Sequence, residues 1–450
     1  MFIGFDYGTA NCSVATMRGD TPQLLAIEAE HVYIPSTLAA PTRESVSEHL
    51  FKHHQIRPVN PSGEQLLRRS IASNREEGIE VVPDDIAFGR EALARYLDMP
   101  QEIYYVRSPK SFLGAQGLLA MQISFFEDLV CAMMANIKRQ AEMSAQQQIR
   151  DVVVGRPINF QGRGHEQSNQ QAVDILSNAA KRAGFAHIEF LFEPVAAGLE
   201  YEATLRNDQV VLVVDIGGGT TDCSLIQLGP GWRGKSARQA GLLAHSGQRV
   251  GGNDLDIQLT FRQLMHVFGK GSQSLSGLDM PLTQFWNPIA VNDVQAQKEF
   301  YARQNLATLT ALHKEAKAPE QLARLLEVYH HTLGFNLVRC AEQAKIALSE
   351  QAEYGVKLNL PSEVVAVDIT SDQLINAFES TTDKIVSLVT EAVKQGGTQP
   401  DVIFMTGGSS RSPFLCEAVQ RVLPSTPVIS GDSFGSVTAG LARWANVCFG

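Results

Sequence analysis

What the sequence does not contain narrows it first. Its six cysteines (Cys12, Cys131, Cys223, Cys340, Cys416 and Cys448) are scattered, with no Cys-x-x-Cys pair. That excludes a zinc framework and a small secreted disulfide scaffold, and it predicts a reducing compartment. Positive charge is not in excess: 38 Lys and Arg face 48 Asp and Glu, a net charge of −10, so neither nucleic acid nor an anionic membrane is the expected partner. No apolar run approaches the ~18 residues of a membrane span. The best candidate, Gly114 to Phe126, is short and contains Gln116 and Gln122. The chain opens Met1-Phe2-Ile3-Gly4-Phe5-Asp6, without the basic start of a secretory signal, so a soluble cytoplasmic protein is expected. Hydrophobic residues at 44% and charged residues at 19% leave no case for global disorder.

What is present is a pattern of strands that end in glycine turns. The apolar run Phe2 to Phe5 ends in Asp6-Tyr7-Gly8-Thr9-Ala10-Asn11, and a second strand returns over Cys12 to Met17. Val210 to Val214 ends in Asp215-Ile216-Gly217-Gly218-Gly219-Thr220-Thr221-Asp222 and continues into Cys223 to Ile226, the same plan. The two acids stand 209 residues apart, which predicts a duplicated domain rather than a solenoid of short repeats. A third strand, Asp401 to Met405, turns through Thr406-Gly407-Gly408-Ser409-Ser410 into a helix near Ser412-Pro413. Between these points a long amphipathic helix follows Leu118. A strand at Asp151 to Pro157, a helix near Gln170 to Ala183 and a strand at Ile188 to Phe192 give the alternation of an α/β fold. Residues 43 to 100 read as an inserted lobe of little periodicity, Gly271 to Asn287 as a loop, and Gln295 to Glu350 as largely helical.

A backbone approaches a phosphate closely only where no Cβ intrudes, and successive N–H groups in a glycine turn form an anion-binding concavity. Gly8 and Gly217 to Gly219 supply such turns on the two halves. Asp6 and Asp215 repel phosphate but can hold hydrated Mg²⁺ through its waters. One Asp-x-Gly tripeptide is ordinary turn chemistry; two, each between apolar runs, predict a Mg-nucleotide between two domains. By itself Lys110 reads as a solvated lysine, and Glu193 equally as a helix-capping acid or as a carboxylate at the ligand-binding end of a sheet. Glu342, Lys345 and Ser349 share one helix face, either an exposed polar stripe or a nucleoside contact. His49 and His53 are spaced i, i+4 beside His54, but no third ligand is evident and the sequence speaks against a metal there.

These residues, taken in order, resemble the ATPase domain of the seventy-kilodalton heat-shock chaperones, within the actin-like ATPase superfamily. Phe2 to Ser13 and Val213 to Ser224 are similar to its two phosphate motifs, and Phe192 to Leu199 to its connecting helix. Gly247 to Asp256, Cys340 to Ser349 and Thr406 to Pro413 are similar to its Gly-Gly-x-Asp-x-Asp stretch, adenosine helix and Gly-Gly-[Ser/Thr]-x-Arg-x-Pro turn. The resemblance implies an α/β, actin-like ATPase fold, with duplicated ribonuclease-H-like domains forming two lobes around a nucleotide cleft. Lobe I would span residues 1–202, with an inserted subdomain at about 40–105, and lobe II residues 203–450, with one at about 250–370.

The resemblance also implies roles. Asp6 and Asp215 organise Mg²⁺ through water, and Gly8, Thr9, Gly217, Gly218, Gly219 and Thr220 hold phosphates. Lys110 is the catalytic lysine, Glu193 orients the attacking water with Asp215, and Asp222 stands nearby. Glu342, Lys345 and Ser349 meet ribose and adenine, and Gly407, Gly408, Ser409 and Arg411 cover the base. The expected activity is slow, Mg-dependent ATP hydrolysis with ATP and ADP as cofactors, nucleotide state controlling cleft closure and the binding of a protein partner or client. Two departures bear on rate and coupling: Ala10 replaces a second Thr, and Phe434 replaces an acid of the last motif. The chain stops at Phe449-Gly450, so the family's peptide-binding domain is expected to be absent. A nucleotide-gated binding module with little hydrolysis and an actin-like filament protein remain alternatives; a sugar kinase fits less well.

Overall fold

The apolar runs that end in glycine turns become the central strands of two five-stranded paths in a computed structural model, which describes residues 1–99, 102–160, 166–233, 241–431 and 435–450. Phe434 lies outside the described residues. The first path comprises β1 (Phe2–Tyr7), β2 (Asn11–Arg18), β3 (Thr21–Leu24), β4 (Asp151–Arg156) and β5 (His187–Phe192), in the order β3-β2-β1-β4-β5. The second comprises β6 (Gln209–Ile216), β7 (Thr221–Leu228), β8 (Leu242–Gln248), β9 (Val402–Thr406) and β10 (Val428–Ser430), in the order β8-β7-β6-β9-β10. Each path is an antiparallel meander of three strands continued by two parallel strands, so the duplication read from two acids extends to the whole sheet.

Both faces of the first sheet are covered, which explains its continuous apolar runs. Ile3, Phe5 and Tyr7 of β1, with Val152 and Val154 of β4, pack on Val130, Met133 and Met134 of the helix Ala120–Ala145 and on Ile175 and Leu176 of the helix Glu166–Arg182. Each such side chain, fully buried, contributes roughly 1.5–3 kcal/mol. Val153 points the other way, into a second core made by Val195 and Ala196 of the helix Glu193–Glu202, Val211 and Val213 of β6, Phe404 of β9, and Leu441 of the helix Ser436–Phe449. Period-2 alternation therefore sends one strand's side chains into two different cores.

Contacts divide the chain into two units. One comprises Met1–Gly251, Ile385–Arg411 and Leu415–Gly450 and holds both sheets; the other comprises Gly252–Lys384 and Ser412–Phe414. Within the first unit, the inserted stretch from residue 43 to residue 99 holds the helices Arg43–His54, Pro61–Glu76 and Gly89–Asp98. Beside them lies a three-stranded sheet of Thr37–Ala40, Ala87–Phe88 and Tyr104–Arg107. The stretch Gly271 to Asn287, expected as a loop, contains the short helix Thr283–Trp286, which forms because Phe285 is fully buried. Residues 351 to 400, for which no element was expected, hold the hairpin Glu353–Asn359 and Val364–Thr370 and the long helix Ser371–Gly396.

Candidate active site

The first unit brings Asp6, Lys110, Glu193, Asp215 and Asp222 together with both glycine turns. Asp6 and Asp215 occupy equivalent places, each near the end of a central strand, in register with Ser13 and Asp222 respectively. The turns themselves meet. A Cβ placed on Gly218 would lie 2.7 Å from the Ala10 Cβ, and one on Gly219 would lie 2.7 Å from the Thr9 Cγ2. A side chain on either glycine would force the facing residue to shift.

Lys110 arrives from the inserted subdomain on a single turn, Pro109–Phe112, that follows Tyr104–Arg107. Its loop is tied to the first glycine turn through one residue. The Ser108 N–H donates to the Ser36 carbonyl at 2.7 Å, and the Ser36 hydroxyl donates to the Gly8 carbonyl at 2.6 Å. Glu193 begins the helix Glu193–Glu202 directly after β5, with Pro194 in the first turn, where its missing N–H costs nothing. Its carboxylate makes no cap bond. It accepts instead from the Lys110 ammonium, in an ion pair whose side chains are 4% and 11% exposed.

Burial and crowding set the charges here. Burial raises Asp6 to about 7, and Glu193 adds to the effect while Lys110 opposes it. Burial raises Asp222 to about 8, again with Glu193 adding. Asp215 is pushed well up by burial and by Glu193, Asp222 and Asp6. Burial works against the charge on Lys110, but Glu193 and Asp6 outweigh it and its pKa rises. Four carboxylates thus share one ammonium in a desolvated site, which leaves room for further positive charge. Among the described residues no group of three or more His, Cys, Asp or Glu is arranged to clasp a metal ion. The donor set fits a hard cation that would be held partly through water, with Asp6 and Asp215 as the residues that would hold it.

Gly407 adjoins this cluster. Its φ is +85°, and a Cβ there would lie 2.4 Å from the Ile216 carbonyl oxygen and 2.6 Å from the Asp215 Oδ1. Gly408, Ser409 and Arg411 form the single turn that follows. Ser410 closes that turn by donating its hydroxyl to the Gly407 carbonyl at 2.7 Å. Glu342, Lys345 and Ser349 stand in the second unit, on or just past the helix Gly334–Ala347. There Lys345 pairs with Asp256 at 2.6 Å, and the Ser349 hydroxyl donates to the Lys345 carbonyl at 3.0 Å. The histidines of the insertion do converge: the Nε2 atoms of His49 and His54 are 3.2 Å apart.

Two residues beside the cluster were missed. Ser36 carried no motif, and only its hydrogen bonds reveal it. Arg156, at the end of β4, is drawn electrostatically toward Glu193 and Asp222. A basic residue closing an apolar strand in an α/β chain was the available signal.

Comparison with known proteins agrees with the geometry. Residues 119–279 match the family model described as Hsp70 protein. Over those residues the chain is similar to the Hsp70 family. It is 25% identical over 455 residues to a chaperone protein HscA homolog of Cupriavidus necator and 23% identical to the HscA homolog of Actinobacillus pleuropneumoniae, covering 100% of this chain and 58% of each relative. It is 23% identical over 462 residues to the chaperone protein DnaK of Thermus thermophilus, covering 61% of that protein. The chain spans about three fifths of the length of the curated relatives it matches. Its fold, with the sheet duplicated and helices on both faces, is the actin-like ATPase fold of that family. Among the described residues, no helix is long and apolar enough to cross a membrane.

Proposed function

We propose that this chain is an ATP-binding engine of the Hsp70 type, which hydrolyses ATP slowly and uses nucleotide state to regulate a protein partner in the cytoplasm. The observation that carries the reading is the buried set of Asp6, Glu193, Asp215 and Asp222 around Lys110, placed where two glycine turns touch. Gly8, Thr9, Gly217, Gly218, Gly219 and Thr220 offer the phosphates backbone N–H groups and hydroxyls. Mg²⁺, when bound with nucleotide, supplies positive charge against the phosphate oxygens beside Asp6 and Asp215. Lys110 neutralises charge that builds on the terminal phosphoryl group, and Glu193, with Asp215, orients the attacking water. Asp222, raised to about 8, carries a proton at neutral pH in the absence of ligand and stands ready to exchange it. On this reading Glu342, Lys345 and Ser349 meet the nucleoside, and Gly407, Gly408, Ser409 and Arg411 the base. The division into lobes 1–202 and 203–450 belongs to the same reading.

Titration calorimetry with ADP and ATP, with and without Mg²⁺, followed by single-turnover hydrolysis in wild type and Lys110→Ala, tests the proposal. Nucleotide binding that needs Mg²⁺, and turnover abolished by the substitution, are expected. A protein that binds no adenine nucleotide would sink the reading, whereas binding without turnover would favour a nucleotide-gated module, the reading that Ala10 in the first turn supports.

A further inference from the structure

Arg156 is a guanidinium with most of its donors unspent. It ends β4, in parallel register with Phe192, the residue before Glu193. Its charge lies 4.9 Å from the centre of the Phe192 ring and 5.7 Å from that of Phe160, so two aromatic faces hold it by cation–π attraction. Burial lowers its pKa, while Glu193 and Asp222 act in the opposite sense. An arginine so close to two acids ordinarily closes onto one of them in a two-pronged pair. Here both acids are engaged. Glu193 is bound to Lys110, and Asp222 accepts from the Ile158 N–H at 3.0 Å and from the Thr220 side chain. The guanidinium makes only two long bonds, Nε to the Pro157 carbonyl at 3.3 Å and Nη2 to the Ile158 carbonyl at 3.5 Å. Of its five N–H groups, the rest point at no acceptor among the described residues.

A planar fork of N–H donors matches two oxygens of a phosphoryl group. Arg156 stands between neighbours of both acids: a Cβ on Gly155, just before it, would lie 3.3 Å from the Glu193 Cγ, and the Ile158 N–H, just after it, donates to Asp222. We infer that Arg156 reads the terminal phosphate, distinguishing a triphosphate from a diphosphate. This rests on the nucleotide reading given above. It adds a residue to the site, and a property: the gap between the two affinities is set by a cation that ends a strand and is steadied by rings, rather than by the glycine turns.

The experiment is calorimetry on the full chain with Mg-ADP and with the Mg complex of a non-hydrolysable ATP analogue, comparing wild type, Arg156→Gln and Arg156→Lys. Losing a charge-assisted fork is expected to weaken the triphosphate about 10- to 100-fold and the diphosphate by no more than about 2-fold. Arg156→Lys should recover only part of the difference, since an ammonium lacks the planar fork. Unchanged ADP affinity is the control that the site remains folded. Equal weakening of both ligands, or of neither, would overturn the assignment while leaving nucleotide binding intact. If wild type bound neither ligand, the nucleotide reading would fail and this assignment with it.

Discussion

Removing Lys110 and removing Glu193 should have opposite consequences, although the two form one buried ion pair. Lys110→Met leaves Asp6, Glu193, Asp215 and Asp222 without their ammonium. Stripping one partner from a buried pair costs about 3–5 kcal/mol, because the other charge stays buried and uncompensated. Glu193→Gln does the reverse. Glu193 is a cause of the raised pKa of Asp6, Asp215 and Asp222, so its neutral isostere relieves three repulsions, and Lys110 still has Asp6 as a counter-charge. That variant should fall within about 1 kcal/mol of wild type. The asymmetry depends on pH. Asp6 and Asp222 titrate higher in the folded chain than in the unfolded one, so stability from this source is full below pH ~4 and is lost as pH rises through about 7 and about 8. Protonated carboxyls need no counter-ion, so the cost of Lys110→Met should be larger at pH 8 than at pH 5.5. Urea denaturation of both variants at the two pH values, without nucleotide and with a chelator, measures each quantity. If Glu193→Gln lost as much stability as Lys110→Met, or if the cost of Lys110→Met did not change with pH, the account of the cluster would be wrong.

The same linkage predicts that Mg-ADP raises the melting temperature more at pH 8 than at pH 5.5, because ligand charge compensates carboxylates that are ionised only at the higher pH; a scan of thermal shift against pH checks it. Gly218→Val should abolish nucleotide binding in calorimetry, since its first side-chain atom already meets Ala10 at 2.7 Å, while costing about 1–3 kcal/mol of stability in urea. Burial, with His54 and His53 adding, pushes His49 down to about 4. The unfolded chain therefore binds the proton first, and stability is lost as pH falls from ~6.5 to about 4, by about 1–2 kcal/mol after allowance for solvent screening. His49→Gln should flatten that acid limb in urea titrations.

How much of this was legible depended on what each segment buries. The two central hairpins announced themselves because strands covered on both faces are apolar throughout, so the run from Val210 to Val214 and the turn after it stand out. The inserted helix Arg43–His54 did not. It buries Ser45, Ser47, Glu48 and His49 along with Val46 and Leu50, and Ser47 donates to Asp128 at 2.7 Å while Asn74 donates to Glu48 at 2.7 Å. With buried polar residues outnumbering Val46 and Leu50, the apolar stripe is too short to read. Arg156 was hidden for another reason. Its meaning comes from Phe192 beside it in the sheet, Phe160 and two acids, and no local pattern announces those neighbours.

The duplication explains why the two halves of the site do unlike work. In the first half the residue opposite Asp6 is Ser13, whose hydroxyl shares a 2.5 Å hydrogen bond with Thr438 of the helix Ser436–Phe449. That neutral partner ties the hairpin to the core and adds no charge. In the second half the residue opposite Asp215 is Asp222, so two carboxylates face each other across one antiparallel pair, an arrangement that destabilises a sheet when both are ionised. The fold tolerates it by holding protons there, by bonding Asp222 to the Ile158 N–H, and by bringing cations from elsewhere: Lys110 from the insertion and Arg156 from β4. Neither cation belongs to the second sheet. The charge imbalance of one copy is therefore met by side chains carried on or beside the other, and that dependence, more than the glycine turns, is what makes two similar sheets a single site.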